Sequence, residues 1–284
     1  MNLFPARNSA PQPLPTLLVV TPTLGSSAFL EETIHSVREL PFPVFHVLSC
    51  PEHRLQDLTA RFPFCKVIQD AGLKGGIYGA LNAALSAVIS DDWEWFTYIN
   101  DDDAIGPGFA TALQSHLSRP SPEPIVYGNV RLINEVSHPI GWITTEKDPS
   151  RLHLLLHQSI SPLNQQGMLM RRDVVYDLNS FDLRYSLCSD LDFWVRALQA
   201  GFAFRFTPHE VGRFRIRRGQ LSANTALTRS EFRDIVNRHL GSPPGFLALA
   251  LSRMWYRATN LPRYLERLRI SGPKTSEAIL QNGH

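Results

Sequence analysis

Trp93-Glu94-Trp95-Phe96-Thr97-Tyr98-Ile99-Asn100-Asp101-Asp102-Asp103 reads as a buried strand that opens onto a block of acids. Carboxylates bunched where a buried strand emerges repel one another and lose water, so the arrangement is costly unless a positive charge sits among them. Carboxylates are hard oxygen ligands suited to Mg²⁺ or Mn²⁺. An ion held by few of them completes its shell with water and substrate phosphates. Gly106-Pro107-Gly108 then ends the strand and lets the chain leave as a helix. One reading is a metal–diphosphate site at the carboxyl edge of a sheet. The other is a solvated acidic loop with a helix-capping Asp, and the acidic block alone does not separate them.

Upstream, strand and helix patterns alternate. Leu17–Val20 is a short buried strand closed by Thr21-Pro22-Thr23, and Phe29–Leu40 has helical spacing through Leu30, Ile34 and Val37. Val44–Leu48 is a second strand, with a helix near Glu52–Phe62, and Cys65–Ile68 is a third strand. After Gly75-Gly76, Ile77, Leu81, Leu85 and Val88 recur at helical spacing, and Trp93–Ile99 is the fourth strand. Strands separated by helices predict an α/β fold with a mostly parallel central sheet flanked by helices. Ligands on such sheets bind beyond the carboxyl ends of the strands, which would gather Thr21, Ser49, Asp70 and Asp102. Gly72, Gly75, Gly76 and Gly79 lack dinucleotide-loop spacing and read as a helix-start turn.

The second half is less regular. Pro124–Val130 predicts a strand, Val130–Trp142 a hairpin return, and Gln166–Met170 a short apolar run. From Ser189 onward, Leu191, Trp194, Val195 and Leu198 share a helical face. Ser189 is read as the N-cap and Asp192 as the capping-box acid, four residues before Arg196. Asp190 has neither role. A carboxylate at a helix start, kept ionised by the dipole and aimed into a cleft, could take a proton from an alcohol. His153 and His157 lie four apart but lack a third ligand in spacing, so they read as surface or satisfied histidines.

The 284 residues allow one large domain with an appendage, and 43% apolar composition supplies a core. A net charge of +2 gives no bias toward nucleic acid, although Arg213, Arg215, Arg217 and Arg218 cluster locally. Cys50, Cys65 and Cys188 lie far apart and form neither a metal motif nor a disulfide framework, which fits a reducing, cytoplasmic setting. No signal peptide is evident. No apolar run reaches the ~18 residues of a membrane span.

Taken together, these segments resemble a family-2 glycosyltransferase with the GT-A fold. Val19–Thr23 with Phe29–Val37 resembles the family's opening strand and helix, and Gly75–Asn82 its glycine-led helix. Ile99–Asp103 with Pro107-Gly108 resembles its metal motif, and Phe181–Tyr185 with Ser189–Arg196 its catalytic-base segment. The resemblance covers about residues 16–222. It implies an inverting transfer from a nucleotide-diphospho-sugar donor to an acceptor hydroxyl, with Mn²⁺ or Mg²⁺, in cell-surface polysaccharide or glycolipid synthesis. It makes Asp190 the general base, Asp102 a metal ligand and Asp103 the acidic neighbour that joins or positions that ligand. Asn100 stands where many members have the first Asp, beside Asp101. Thr21, Pro22 and Thr23 begin the nucleotide pocket, with Asp70, Gly76 and Asn82 on the donor side. Gln166 matches an acceptor-side Gln, and Gln165 replaces a frequent His. The implied partners are a sugar nucleotide and a saccharide or lipid-linked acceptor, with no nucleic acid.

Two departures bear on function. Many members end the second strand in an Asp that reads the nucleobase, where this chain has Ser49. Arg217 in Phe214–Ser222 takes the place of a metal-binding His; arginine cannot ligate a metal but can pair with phosphate oxygens. The alternative is a non-catalytic sugar-nucleotide-binding or scaffold protein that keeps the fold. The expected organisation is a Pro-rich tail over 1–15, a catalytic domain over 16–240 and a C-terminal helical extension over 241–284. In the extension Leu247, Leu251, Met254, Ala258 and Leu261 share a helical face, and Pro262 interrupts it. Trp, Tyr and Arg beside that face fit either a helix docked on the domain or peripheral contact through 245–270 with the inner face of a membrane.

Overall fold

Leu17–Pro22 (β1) is buried along its whole length, as a strand covered on both faces must be. The computed structural model describes residues 15–70, 75–217, 220 and 225–271. The Pro-rich tail up to residue 14, Gly72, Arg218, Leu221, Ser222 and the segment after 271 lie outside the described residues.

Val44–Cys50 (β2) and Trp95–Tyr98 (β4) flank β1 in parallel, and Lys66–Gln69 (β3) extends the parallel sheet beyond β2. The crossovers are Leu30–Arg38 (α1), Leu55–Arg61 (α2) and Gly76–Ala87 (α3). Residues alternate across the sheet, as a period of two requires. Leu18, Val20 and Phe96 pack with Leu81, Leu85 and Phe193 on one face. Leu17, Val19 and Trp95 pack with Val37, Phe109 and Leu113 on the other.

The second half continues with Ala104–Ile105 (β5), Phe109–Leu117 (α4), Ile125–Ile133 (β6), Pro139–Trp142 (β7), Leu152–Leu156 (α5) and Leu169–Arg171 (β8). Then follow Arg172–Asp177 (α6), Ser189–Gln199 (α7), Phe204–Arg215 (β9), Thr225–His239 (α8), Phe246–Thr259 (α9) and Leu261–Ser271 (α10). The strand order among the described residues is β3-β2-β1-β4-β8-β6-β9-β5, with β7 on β6. The expected hairpin is the β6–β7 pair. Strand β8 is antiparallel to both β4 and β6 and joins the two halves of the sheet.

Arg213 and Arg215, two members of the basic cluster in the sequence, lie in an interior strand. Strand β9 runs parallel to β6 on one side and antiparallel to β5 on the other. Pro208 sits inside it, where an interior strand would lose a ladder bond. The β6–β9 register slips on either side of Asn129 at that point, and the Asn129 amide donates to the Pro208 carbonyl at 2.5 Å. The bulge absorbs the proline.

The expected capping of α7 is corrected. The cap position is Cys188, with no side-chain bond, and Ser189 is already helical. Glu231 of α8 accepts the backbone N–H groups of Ser186, Leu187 and Cys188 at 2.8–2.9 Å, so a carboxylate distant in sequence ties down the entry to the helix. Asp192 does not reach back in a capping box. It accepts from Arg196 Nε at 2.7 Å, at the expected spacing, and lies 3.0 Å from His239 Nε2 of α8.

Candidate active site

The carboxyl ends of the parallel strands meet as expected. Thr23 N–H donates to the Ser49 carbonyl at 2.9 Å, Asp70 N–H to Cys50 at 2.8 Å, and Ile99 N–H to Val20 at 3.0 Å. Thr23 Oγ1 donates to Asp101 Oδ2 at 2.6 Å, and Ser27 Oγ to the Asp101 carbonyl at 2.7 Å. The loop after β1 is thereby stitched to the acidic block.

The acids of that block divide by environment. Asp103 is buried, and its oxygens accept from Arg215 N–H at 2.9 Å, Gln166 Nε2 at 3.0 Å and Asn100 Nδ2 at 3.4 Å. Burial, and after it the Asp102 charge, push its pKa up against those bonds. These bonds fit a positioning part for Asp103 and leave Asp102 as the ligand candidate. Asp102 is half-buried; its Oδ2 accepts from Arg217 Nε at 2.6 Å and its carbonyl from Arg215 Nε at 2.8 Å. Burial also raises Asp101, and the Thr23 hydroxyl opposes the shift.

Arg215 is fully buried, and sequence reasoning gave it no role. Its guanidinium pairs with Glu32 of α1 at 2.7 Å, donates to the Asn134 carbonyl at 2.9 Å and stands over the Phe29 ring at 4.2 Å. Removing Glu32, whose side chain is partly exposed, would leave the buried guanidinium without its carboxylate, so the contact pins β9 beneath the acids. A close backbone approach sets the same register. Gly167 has φ +75°, and an added Cβ would stand 2.3 Å from the Val211 carbonyl oxygen. Only glycine tolerates both conditions.

The second cluster surrounds Asp190, in the first turn of α7. Tyr78 OH donates to Asp190 Oδ1 at 3.0 Å, and Leu191 N–H donates to the same oxygen at 2.8 Å. Desolvation raises the Asp190 pKa to about 6 against both bonds. Burial outweighs the helix start in setting this acidity, and a group titrating near 6 is still largely ionised at neutral pH. Tyr98 of β4 feels both clusters: its phenol is raised by burial, then by the charge of Asp190, then by that of Asp103. Tyr78 and Tyr98 were missed from sequence as functional residues. The signal available was a tyrosine in the first turn of the glycine-led helix and another two residues before Asn100.

Other expected residues have structural partners. Thr21 Oγ1 is 2.9 Å from His46 Nε2, a buried imidazole whose pKa falls to about 3 through desolvation. Asn82 clamps the Phe181 backbone with its amide N at 2.8 Å and its oxygen at 3.0 Å. Gln165 donates to the Tyr98 carbonyl at 2.6 Å. Pro22 pairs with Ser49, whose buried hydroxyl has no partner, and Gly76 opens α3 with φ +53°. Among the described residues, no group of three His, Cys, Asp or Glu side chains is arranged to hold a metal. Asn100 Oδ1 is buried without a partner, two residues before Asp102 in the chain. An unpartnered amide oxygen and a half-buried carboxylate are hard donors of the kind that suits a divalent ion drawing its other ligands from a diphosphate and water.

The family model described as "Glycosyl transferase family 2" matches residues 18–178. No curated protein sequence matches. Among solved structures, S. aureus TarS 1–349 in complex with UDP-GlcNAc is similar, with TM-score 0.59 and 16% identity, over 90% of this chain and 79% of that one. The chain covers 43% of a longer TarS structure, at TM-score 0.57 and 15% identity over 87% of its own length. The mannosyltransferase PcManGT from Pyrobaculum calidifontis, in complex with GDP-Man and Mn²⁺, is similar with TM-score 0.54 and 13% identity, over 94% of this chain and 77% of that one. At these identities the likeness shows the fold, which is GT-A. With a family model matched over more than half of its length, and its acidic block inside the match, the chain belongs to glycosyl transferase family 2.

Proposed function

We propose that this glycosyltransferase moves a sugar from a nucleoside-diphosphate donor to an acceptor hydroxyl with inversion at the anomeric carbon. The observation that carries the reading is Asp190: a half-buried carboxyl group with a pKa of about 6, held by the Tyr78 hydroxyl, whose charge acts on the same Tyr98 phenol as that of Asp103. A base poised near the working pH combines ionisation with proton affinity. Asp190 takes the proton of the acceptor hydroxyl as that oxygen attacks the anomeric carbon. The bond to the diphosphate breaks on the opposite face, and the leaving oxygens take the electron pair.

Asp102 and the Asn100 side-chain oxygen would hold Mn²⁺ or Mg²⁺, which when bound would neutralise charge on the leaving diphosphate. The nucleotide complexes of TarS and the Mn²⁺ complex of PcManGT support a donor of this class. In this reading Arg217 turns from Asp102 to the diphosphate oxygens when donor arrives. Thr23, Ser49 and Asp70 flank the nucleoside, and Gln165 and Gln166 stiffen the acceptor side through the Tyr98 carbonyl and Asp103. The acceptor is a saccharide or lipid-linked hydroxyl of surface polysaccharide or glycolipid synthesis, reached from the cytoplasmic face of the membrane. The Arg217–Asp102 ion pair itself favours the second reading, a binding protein without transfer, because it occupies the metal carboxylate.

Calorimetry with a panel of nucleoside diphosphates, with Mn²⁺ and with chelator, tests the donor site. Metal should strengthen binding, Asp102→Ala should abolish that gain, and Arg217→Ala should weaken binding about tenfold, the loss of one charge-assisted contact. Full-strength binding in chelator, unchanged in both variants, would defeat the assignment.

A further inference from the structure

The C-terminal helices reverse the usual arrangement, in which an amphipathic helix turns its apolar side to the core. They dock through polar groups. Gln158 Nε2 donates to Ser252 Oγ at 2.9 Å, Tyr256 OH to Thr144 at 2.7 Å, and Asn260 exchanges two bonds with the Thr145 backbone. Arg263 donates to the Ile143 carbonyl, while Glu266 accepts from Arg131 at 2.7 Å and from the Trp142 indole at 2.6 Å. Ser252, Tyr256, Asn260 and Arg263 are all buried.

The opposite side is apolar and exposed. On α9, Leu247, Leu251 and Met254 follow i, i+4, i+7 spacing and are 69, 53 and 66% exposed, beyond an 85% exposed Phe246. On α10, Leu261, Leu265 and Leu268 repeat that spacing at 53, 49 and 50%. Exposed apolar stripes on two consecutive helices mark an interaction surface. Its charge selects the partner. Over residues 241–271 the chain carries Arg253, Arg257, Arg263, Arg267 and Arg269 against Glu266 as the sole acid. Glu266 is spent on Arg131 and Trp142, whereas Arg253, Arg257 and Arg269 are exposed.

We propose that the outer face of α9 and α10 seats on an anionic lipid bilayer, with its leucines, Phe246 and Met254 entering the acyl boundary and its arginines meeting the headgroups. Apolar residues with Trp and Arg on the flank are the composition of an interfacial helix. Among the described residues no helix is long and apolar enough to cross a membrane, so this contact lies in the surface plane. A two-fold contact with a second copy would bring the same arginines together without acids to meet them. The seat also adjoins the site: Asn260 holds Thr145, Asn164 donates to Thr145 Oγ1 at 2.9 Å, and the next residue, Gln165, bonds the Tyr98 carbonyl.

The test uses the full chain with phosphatidylglycerol–phosphatidylcholine vesicles and with phosphatidylcholine alone, scored by flotation. The protein should float with the anionic vesicles at least tenfold more than with neutral ones, and high salt should reduce this. Leu247→Glu with Leu251→Glu should abolish flotation without lowering the melting temperature, because both side chains are exposed. Arg253→Gln and Arg257→Gln should each weaken partition about fivefold. Wild-type protein that stays with the pellet would overturn the proposal, as would a glutamate variant that floats unchanged or melts several degrees lower. So would a dimer, seen by sedimentation, that the glutamate variant dissolves.

Discussion

Asp190 and Asp192 share one helical turn and differ in their partners. Asp192 has a guanidinium and an imidazole at hydrogen-bond distance, whereas Asp190 has a phenol and one N–H. A carboxyl group without a cation in a desolvated site titrates high, and the Asp190 value of about 6 follows from burial. Two outcomes follow. Transfer should rise with pH as the base ionises, with a single-proton limb near pH 6 in the rate profile. Stability should move the other way: the folded pKa lies above the unfolded one, so the folded state holds more protons between about pH 4 and 6 and loses stability as pH rises through that window. Asp190→Asn removes the buried charge while keeping an acceptor for Tyr78 and Leu191. It should therefore melt no lower than wild type at pH 8, and a large destabilisation there would show that the charge is compensated by a group outside this account. The acidic block was legible as a block, because a strand ending in acids is costly without a purpose. The division of labour within it was not. Asp103 accepts from the backbone N–H of Arg215, 112 residues away, and local spacing carries no trace of that.

At the scale of elements, the parallel half was legible from periodicity because each strand is covered by the helix that follows it. Strand β9 was not, since Pro208 argues against an interior strand and the bulge that accommodates it exists only against β6. The capping of α7 was misread for a similar reason: Glu231 supplies from α8 what Ser189 was expected to supply locally. Helices α7 and α8 are thus clamped twice, by Glu231 and by the Asp192–His239 contact. Asp192 is fully buried, so Asp192→Asn should destabilise the fold by about 3 kcal/mol, as loss of one partner from a buried charge pair does. A chemical denaturation curve checks this, and donor binding should persist at concentrations where the variant is folded. A variant as stable as wild type would show that the clamp is redundant.

Across the whole molecule, two carboxylate clusters act on one tyrosine. The acidic block stands at the carboxyl edge of the parallel strands and Asp190 at the start of a helix from the second half, and the charges of Asp190 and Asp103 both raise the Tyr98 phenol. Such a division suits a displacement reaction, which needs charge neutralisation on the leaving side and a base on the attacking side. The central claim is that Asp190 serves as that base. Its most direct measurement is turnover of a sugar-nucleotide panel with Mn²⁺ and an acceptor, followed by proton NMR for both rate and product anomer, in wild type and Asp190→Asn. The account predicts a product inverted relative to the donor and a rate lowered ~10²–10⁴-fold in the variant, with donor binding kept. A retained anomer, or near-wild-type transfer by Asp190→Asn, would contradict it.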